Sequence, residues 1–397
     1  MKIKINLKYL INLLILIPFL YPKGFEVYND SYKKFFTVWL YISLIIIIIK
    51  ILSSMFNKKL KTNSSLVFFL LYYLFMFIIT LGIKHSISNG LQKIFAAPLL
   101  VMFIYMELSD DSSNLIKAIN KILTVSFLLG LTIFNPIFWG NYFIPADNHI
   151  FFWGHVQVGA QIGLLSLLFS YLEYESSNKE KKYKLYFRIL LIILMCIQSR
   201  TSMSYLMIGV MLSYVIIHKY ISFKTKGKSY VNFYLLFNLI LFLIIRKNGL
   251  ALNLGKLSLN GRGFIWNQAI YSFLDKPIFG HGVHGVLIKV FWSDWVGDGT
   301  GLNYMHNQML QILNDGGILL FVLFLALLYS VASNIDGIKN NKIRSSFYIF
   351  LLIILLIMTF ESALEYFYIV VAISTLTSLK NIDLDKNIVK LEKKTWY

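Results

Sequence analysis

A few polar residues break long apolar runs: Arg200 in QSRTS, Arg262 in GRGFIWNQAIYSFLD, His306 and Asn307 in HNQMLQILNDGG, and Glu361 and Glu365 in TFESALEYF. An arginine fork is always charged and grips an anion bidentately, and a histidine titrates near neutrality and is the commonest general base. Together they suit a transfer in which one group loses a proton and another leaves as an anion, with His306 as the base and Arg200 and Arg262 on the anion. Glu361 and Glu365, at the start of the last apolar run, could hold the base or a ligand, against the competing reading of a simple interfacial role. Asn307 could orient His306, bind a sugar hydroxyl or cap a helix. An arginine touching lipid headgroups is the competing reading for Arg200, Arg246 and Arg262. His281 and His284 lack a third ligand and are read as loop polarity, so no metal is expected. Gly280 and Gly282 let backbone approach backbone or ligand closely.

These residues must be positioned by membrane helices. The chain has 397 residues, 57% hydrophobic and 14% charged, whereas a soluble domain is about a quarter charged. Apolar runs read as spans of a core of roughly 30 Å fall near residues 7 to 21, 35 to 56, 66 to 83, 91 to 106, 119 to 138, 152 to 172, 185 to 199, 203 to 217, 232 to 246, 306 to 331, 345 to 360 and 364 to 379, with edges that can extend by several residues. The expected fold is all-α: a polytopic membrane protein of about 12 transmembrane helices, forming one domain over 1–397. The N-terminus has a basic start and an apolar core without a small-residue cleavage site, and reads as an uncleaved first span.

Lysine-rich segments recur at every second loop: the N-terminus, Lys50 to Lys61, Lys179 to Arg188, His218 to Lys228, Lys339 to Arg344, and the tail 380–397. The positive-inside rule places these and both termini in the cytoplasm, with the acidic loop Glu107 to Lys117 on the same side. The net charge of +19 is then a topology signal and an attraction to anionic lipid, not a sign of nucleic acid. The outer segments are Trp139 to Phe151, the turn Gln198 to Ser202, and the long loop 247–305. The spans look mostly clean of charge, and Lys50 is near enough to an end to snorkel; a transporter would show intramembrane charges, broken helices or paired halves. The one cysteine, Cys196, allows no disulfide within the chain.

In the long loop, Phe264, Ile265, Trp266, Ala269, Ile270 and Phe273 form one helical stripe, expected to lie apolar side down in the interface with Arg262 near its N-terminus. Pro277 ends that helix, and Asp315, Gly316 and Gly317 interrupt the apolar run after His306.

Taken in order, these segments resemble the O-antigen ligase and polymerase family. The resemblance rests on Ser199 and Arg200; on Arg262, Trp266, Pro277, Gly280 and Gly282; and on His306, Asn307, Leu310, Leu313, Asp315 and Gly316. Asp315 stands where the family often has glutamate, and Leu319 where a further glycine is common. The resemblance implies a C-type glycosyltransferase-like helical fold in the bacterial cytoplasmic membrane, with an extracytoplasmic active site and no cofactor or nucleotide sugar. The lone Asp-x-Asp, Asp383 and Asp385, lies in the tail and reads as surface charge. The implied donor is a polyprenyl-pyrophosphate-linked glycan, with membrane lipid, a flippase and a chain-length regulator as partners. Catalytic roles would fall to His306, Arg262 and Arg200, and substrate binding to Asn307, Trp266, Gly280, Gly282, Glu361 and Glu365. The acceptor separates a polymerase from a ligase, and the Lys, Asn and Ile bias favours a polymerase; an exporter or flippase is the alternative of another class.

Overall fold

The computed structural model describes residues 6–27, 29–58, 62–83, 90, 92–134, 150–177, 182–217, 226–248, 253–254, 257–258, 262–289 and 301–382. Most of the segment Trp139 to Phe151, parts of the loop 247–305, and the tail with Asp383 and Asp385 lie outside the described residues. The protein is built almost wholly of helices: α1 Leu7–Leu20, α2 Asp30–Phe56, α3 Ser64–Gly82, α4 Ala97–Leu131, α5 Gly159–Ser176, α6 Lys182–Ser199, α7 Ser202–Ile217, α8 Gly227–Asn248, α9 Arg262–Asp275, α10 Gln308–Asp336, α11 Asn341–Phe360 and α12 Phe367–Thr377. Two hairpins of two-residue strands pair Ile150–Phe151 with Gly154–His155 and Asn253–Leu254 with Leu257–Ser258.

Asparagine starts many of these helices. Asn6, Asn29, Asn63 and Asn307 each accept a hydrogen bond from the backbone N–H three residues on, and Asn340 accepts from Lys342 and Ile343. Such caps satisfy donors that a helix N-terminus otherwise leaves open. Among the described residues, seven helical segments are long and apolar enough to cross a membrane, and three shorter apolar ones accompany them. The chain is a multi-pass membrane protein. The twelve expected spans fall on eleven helices, because the runs 91 to 106 and 119 to 138 are two arms of α4, broken at Asp111 (φ −148°, ψ 78°).

Helix α3 packs along α10, α5 along α6, and α1 along α4, while α2 and α8 turn most of their surface outward, including Ile45, Ile49, Leu236 and Leu243. Carboxylates tie basic segments to neighbouring helices: Asp110 to Lys8 at 2.6 Å, Glu173 to Arg188 at 2.6 Å, and Asp336 to the Gly227 N–H at 2.8 Å. The spans are less clean than expected. Lys50 does not simply snorkel: its Nζ donates to Glu107 Oε1 at 2.7 Å and to Asn12 Oδ1 at 3.4 Å. Burying a lone charge is costly, and the acidic segment at the α4 break supplies the partner.

Candidate functional site

The site is organised by a break in α10. Gly317 has φ 64° and ψ −161°, a conformation essentially reserved for glycine. A Cβ there would lie 2.3 Å from the Ile278 carbonyl oxygen. The segment after α9 threads through this gap. Its Pro277 carbonyl accepts from the Ile318 N–H at 2.8 Å, and its His281 and Gly282 N–H groups donate to the carbonyls of Asn314 at 2.7 Å and Asp315 at 3.0 Å. Groups orphaned by the break are thus satisfied by loop backbone, as a membrane interior requires. Gly280, at φ 65°, permits this approach, because a Cβ on it would sit 2.6 Å from the Asn314 carbonyl oxygen.

Just before α10, His306 takes a left-handed backbone (φ 49°), and two neighbours hold it there. Trp266, fully buried, donates its indole N–H to the carbonyls of Met305 at 3.0 Å and His306 at 3.3 Å. Asn307, also fully buried, caps α10 through the Leu310 N–H at 3.0 Å and donates to Asn238 Oδ1 and the Thr359 carbonyl, both at 2.8 Å. Gln311 accepts from the Met305 N–H at 3.0 Å and from Ser362 Oγ at 3.1 Å, which ties the histidine segment to the end of α11.

Glu361, at that end, gathers the polar groups. Its Oε1 accepts from Arg262 Nη2 at 2.5 Å; its Oε2 lies 2.8 Å from the Tyr304 hydroxyl and 3.3 Å from His306 Nδ1. A carboxylate can only accept, so Nδ1 carries a proton and a neutral His306 leaves Nε2 as acceptor. The Glu361 side chain is 2% exposed. Burial alone pushes its carboxyl up, but the His306 hydrogen bond, the Arg262 charge and the Tyr304 hydroxyl together hold it below the ordinary glutamate range. Burial, then the Glu361 charge, pushes the Tyr304 phenol well above its usual value, so it remains a donor.

The structure therefore brings His306, Arg262 and Glu361 together, with Trp266 and Asn307 beneath them making their contacts to protein. Gly280 is buried against α10, and Gly282 (φ 81°) follows it in the same threaded segment. Glu365 lies apart from Glu361 and pairs with His284, Nε2 to Oε2 at 3.2 Å. Arg200 (φ 51°) is exposed in the α6–α7 turn, and among the described residues its side chain makes no recorded bond to this cluster. The apolar stripe of α9 is spent on the protein: Ile265, Trp266 and Ala269 pack with Ile245, Met305 and Leu310, while Tyr271, Leu274, Ile278 and Phe279 remain exposed. Sequence reasoning missed Tyr304, Gln311 and Asn238. Of these, only Asn238 carried a signal, as a lone amide in the apolar run YLLFNLILF. His284, a polar loop residue, has Glu365 as its carboxylate partner.

Residues 185–325 match the family described as O-antigen ligase. Over 93 residues the chain is 34% identical to a protein of Rickettsia typhi and 33% identical to one of Rickettsia felis, both provisionally named polysaccharide ligases. That similarity covers 22% of this chain and 23% of each relative, so the chain matches about a quarter of their length. The family segment holds Arg200, Arg262, Trp266, His306 and Asn307 and stops short of Glu361. Within a multi-pass membrane helix bundle, the chain thus contains a segment, residues 185–325, that is similar to the O-antigen ligase family.

Proposed function

We propose that this protein is a membrane glycosyltransferase that moves a glycan from polyprenyl pyrophosphate to a sugar hydroxyl at the extracytoplasmic face, joining repeat units into a surface polysaccharide. The observation that carries the reading is Glu361 bridging His306 and Arg262. In this mechanism His306 Nε2 takes the acceptor proton as the hydroxyl attacks C1. The bond from C1 to the pyrophosphate oxygen breaks with its electron pair, and a single displacement inverts C1. Glu361 orients the imidazole and stabilises it once protonated, the role a carboxylate plays behind a histidine base. Arg262 is anchored to Glu361 through one fork nitrogen, and its remaining donors stabilise charge building on the leaving oxygen, where fixed donors count most. Arg200 meets the pyrophosphate from its exposed turn at headgroup level. Trp266, Asn307, Gly280 and Gly282 position the base and the loop. With the site outside, the lysine-rich ends are cytoplasmic.

The names of the family and of its Rickettsia relatives favour a second reading, in which the acceptor is a finished molecule and the enzyme is a ligase. The surface glycan profile of a deletion strain tests both. Single repeat units left on the surface support polymerisation, and full-length chains stranded on the lipid carrier support ligation. Full chains trapped inside the cell would overturn both in favour of export.

A further inference from the structure

At the lysine-rich end a cavity of about 510 Å³ opens between α1, the second arm of α4, α5 and α6. Its charged lining is four cations, Lys117, Lys121, Lys184 and Arg188, against one carboxylate, Glu173. Glu173 is already engaged, accepting from Arg188 Nη1 at 2.6 Å and from Asn120 at 2.8 Å. Lys117 and Lys121 are one helical turn apart on α4, and Lys184 and Arg188 one turn apart on α6. Like charges at that spacing repel. Arg188 is balanced by Glu173, and the excess charge of Lys117, Lys121 and Lys184 around one hollow is relieved by an anion.

The surroundings say which kind. Tyr9 and Phe187 line the same cavity. On the helices that form its walls, Leu10 and Leu14 of α1, Val125 and Leu128 of α4, and Leu190 and Leu194 of α6 are exposed. A free phosphate would use only the cations, whereas a molecule with an anionic head and acyl chains uses both surfaces. The geometry points to a binding site for an anionic phospholipid, its headgroup phosphate among Lys117, Lys121 and Lys184 and its chains along the apolar flanks of α1, α4 and α6. The lysine-rich end faces the cytoplasm by the positive-inside rule, and basic hollows between spanning helices on that side suit such headgroups. The site is independent of the glycan chemistry.

The test uses the full chain in phosphatidylcholine nanodiscs, titrated with phosphatidylglycerol and, separately, with inorganic phosphate. Retained lipid is read by native mass spectrometry and stabilisation by Tm. Phosphatidylglycerol should be retained and raise Tm, and the triple variant Lys117→Gln, Lys121→Gln, Lys184→Gln should weaken its binding about a hundredfold. Lys342→Gln, an exposed lysine outside the cavity, should leave binding unchanged, which separates local from general charge. Equal retention of phosphatidylcholine, undiminished binding by the triple variant, or an equal Tm rise with inorganic phosphate would overturn the proposal.

Discussion

Glu361 has two oxygens and three partners, and the division between them decides what each substitution does. Glu361→Gln keeps the volume but removes the charge that balances Arg262 and orients His306, so glycan transfer should fall by roughly 10²–10⁴ in kcat. His306→Ala should abolish transfer while the protein still inserts in the membrane; normal activity in that variant would refute the assignment of the base. The Glu361 carboxyl is depressed in the folded protein, so its charge stabilises fully above the ordinary carboxyl range near about 4. That stability is lost as pH falls through the depressed value. Acid unfolding followed by fluorescence should therefore be steeper in the native protein than in Glu361→Gln. His306, Arg262 and Glu361 were legible in the sequence because charged and titratable side chains are rare in this chain and fall at span ends. Their mutual contacts were not, since residues 262, 306 and 361 meet only through tertiary packing. Trp266 was recognised by type and Asn307 as a possible cap, but their hydrogen bonds to Met305, His306 and Asn238 were not legible, because a sequence does not say which polar atoms will meet.

Helix α10 shows how an element can be both broken and rigid. Gly317→Ala would force a side chain into a backbone region that only glycine holds at ease, against the Ile278 carbonyl. A loss of about 3 kcal/mol is expected, read as a lower Tm. Gly209→Ala is the contrasting case. It lies in α7 with nothing within 4 Å of the added Cβ, and should gain up to about 1 kcal/mol through helix propensity. Most helices were legible from apolar length, while the asparagine caps at Asn6, Asn29, Asn63 and Asn340 that set several of their starts were not singled out. The Asp315, Gly316 and Gly317 interruption was visible, but not the extended strand of loop that fills it. The α4 break was read as a loop, since Asp110 and Asp111 look like solvent-facing acids, and nothing in the sequence shows that helix resumes directly after Asp111.

Across the whole molecule, sidedness is the property with the widest consequences. Cys196 is the chain's one cysteine and is fully buried, so the native protein should be silent to an impermeant maleimide. Tyr271→Cys on α9 should then label in intact cells, and Lys342→Cys at the start of α11 only in inverted vesicles. The reverse pattern would put the Glu361 cluster on the cytoplasmic side and remove the basis of the glycan reading. The alternation of lysine along the chain gives the expected sidedness that these labels test, whereas the network of Asn12, Lys50 and Glu107 inside the bundle was not legible, each group looking harmless alone. The threaded break in α10 also bears on biosynthesis. The residues that fill it, Pro277 to Gly282, leave the ribosome before α10 does, because the N-terminal side is made first. Each backbone group left unpaired in hydrocarbon costs several kcal/mol, so the broken form of α10 is expected to be stable only once the preceding loop has docked onto it, and that loop is already made when the span emerges.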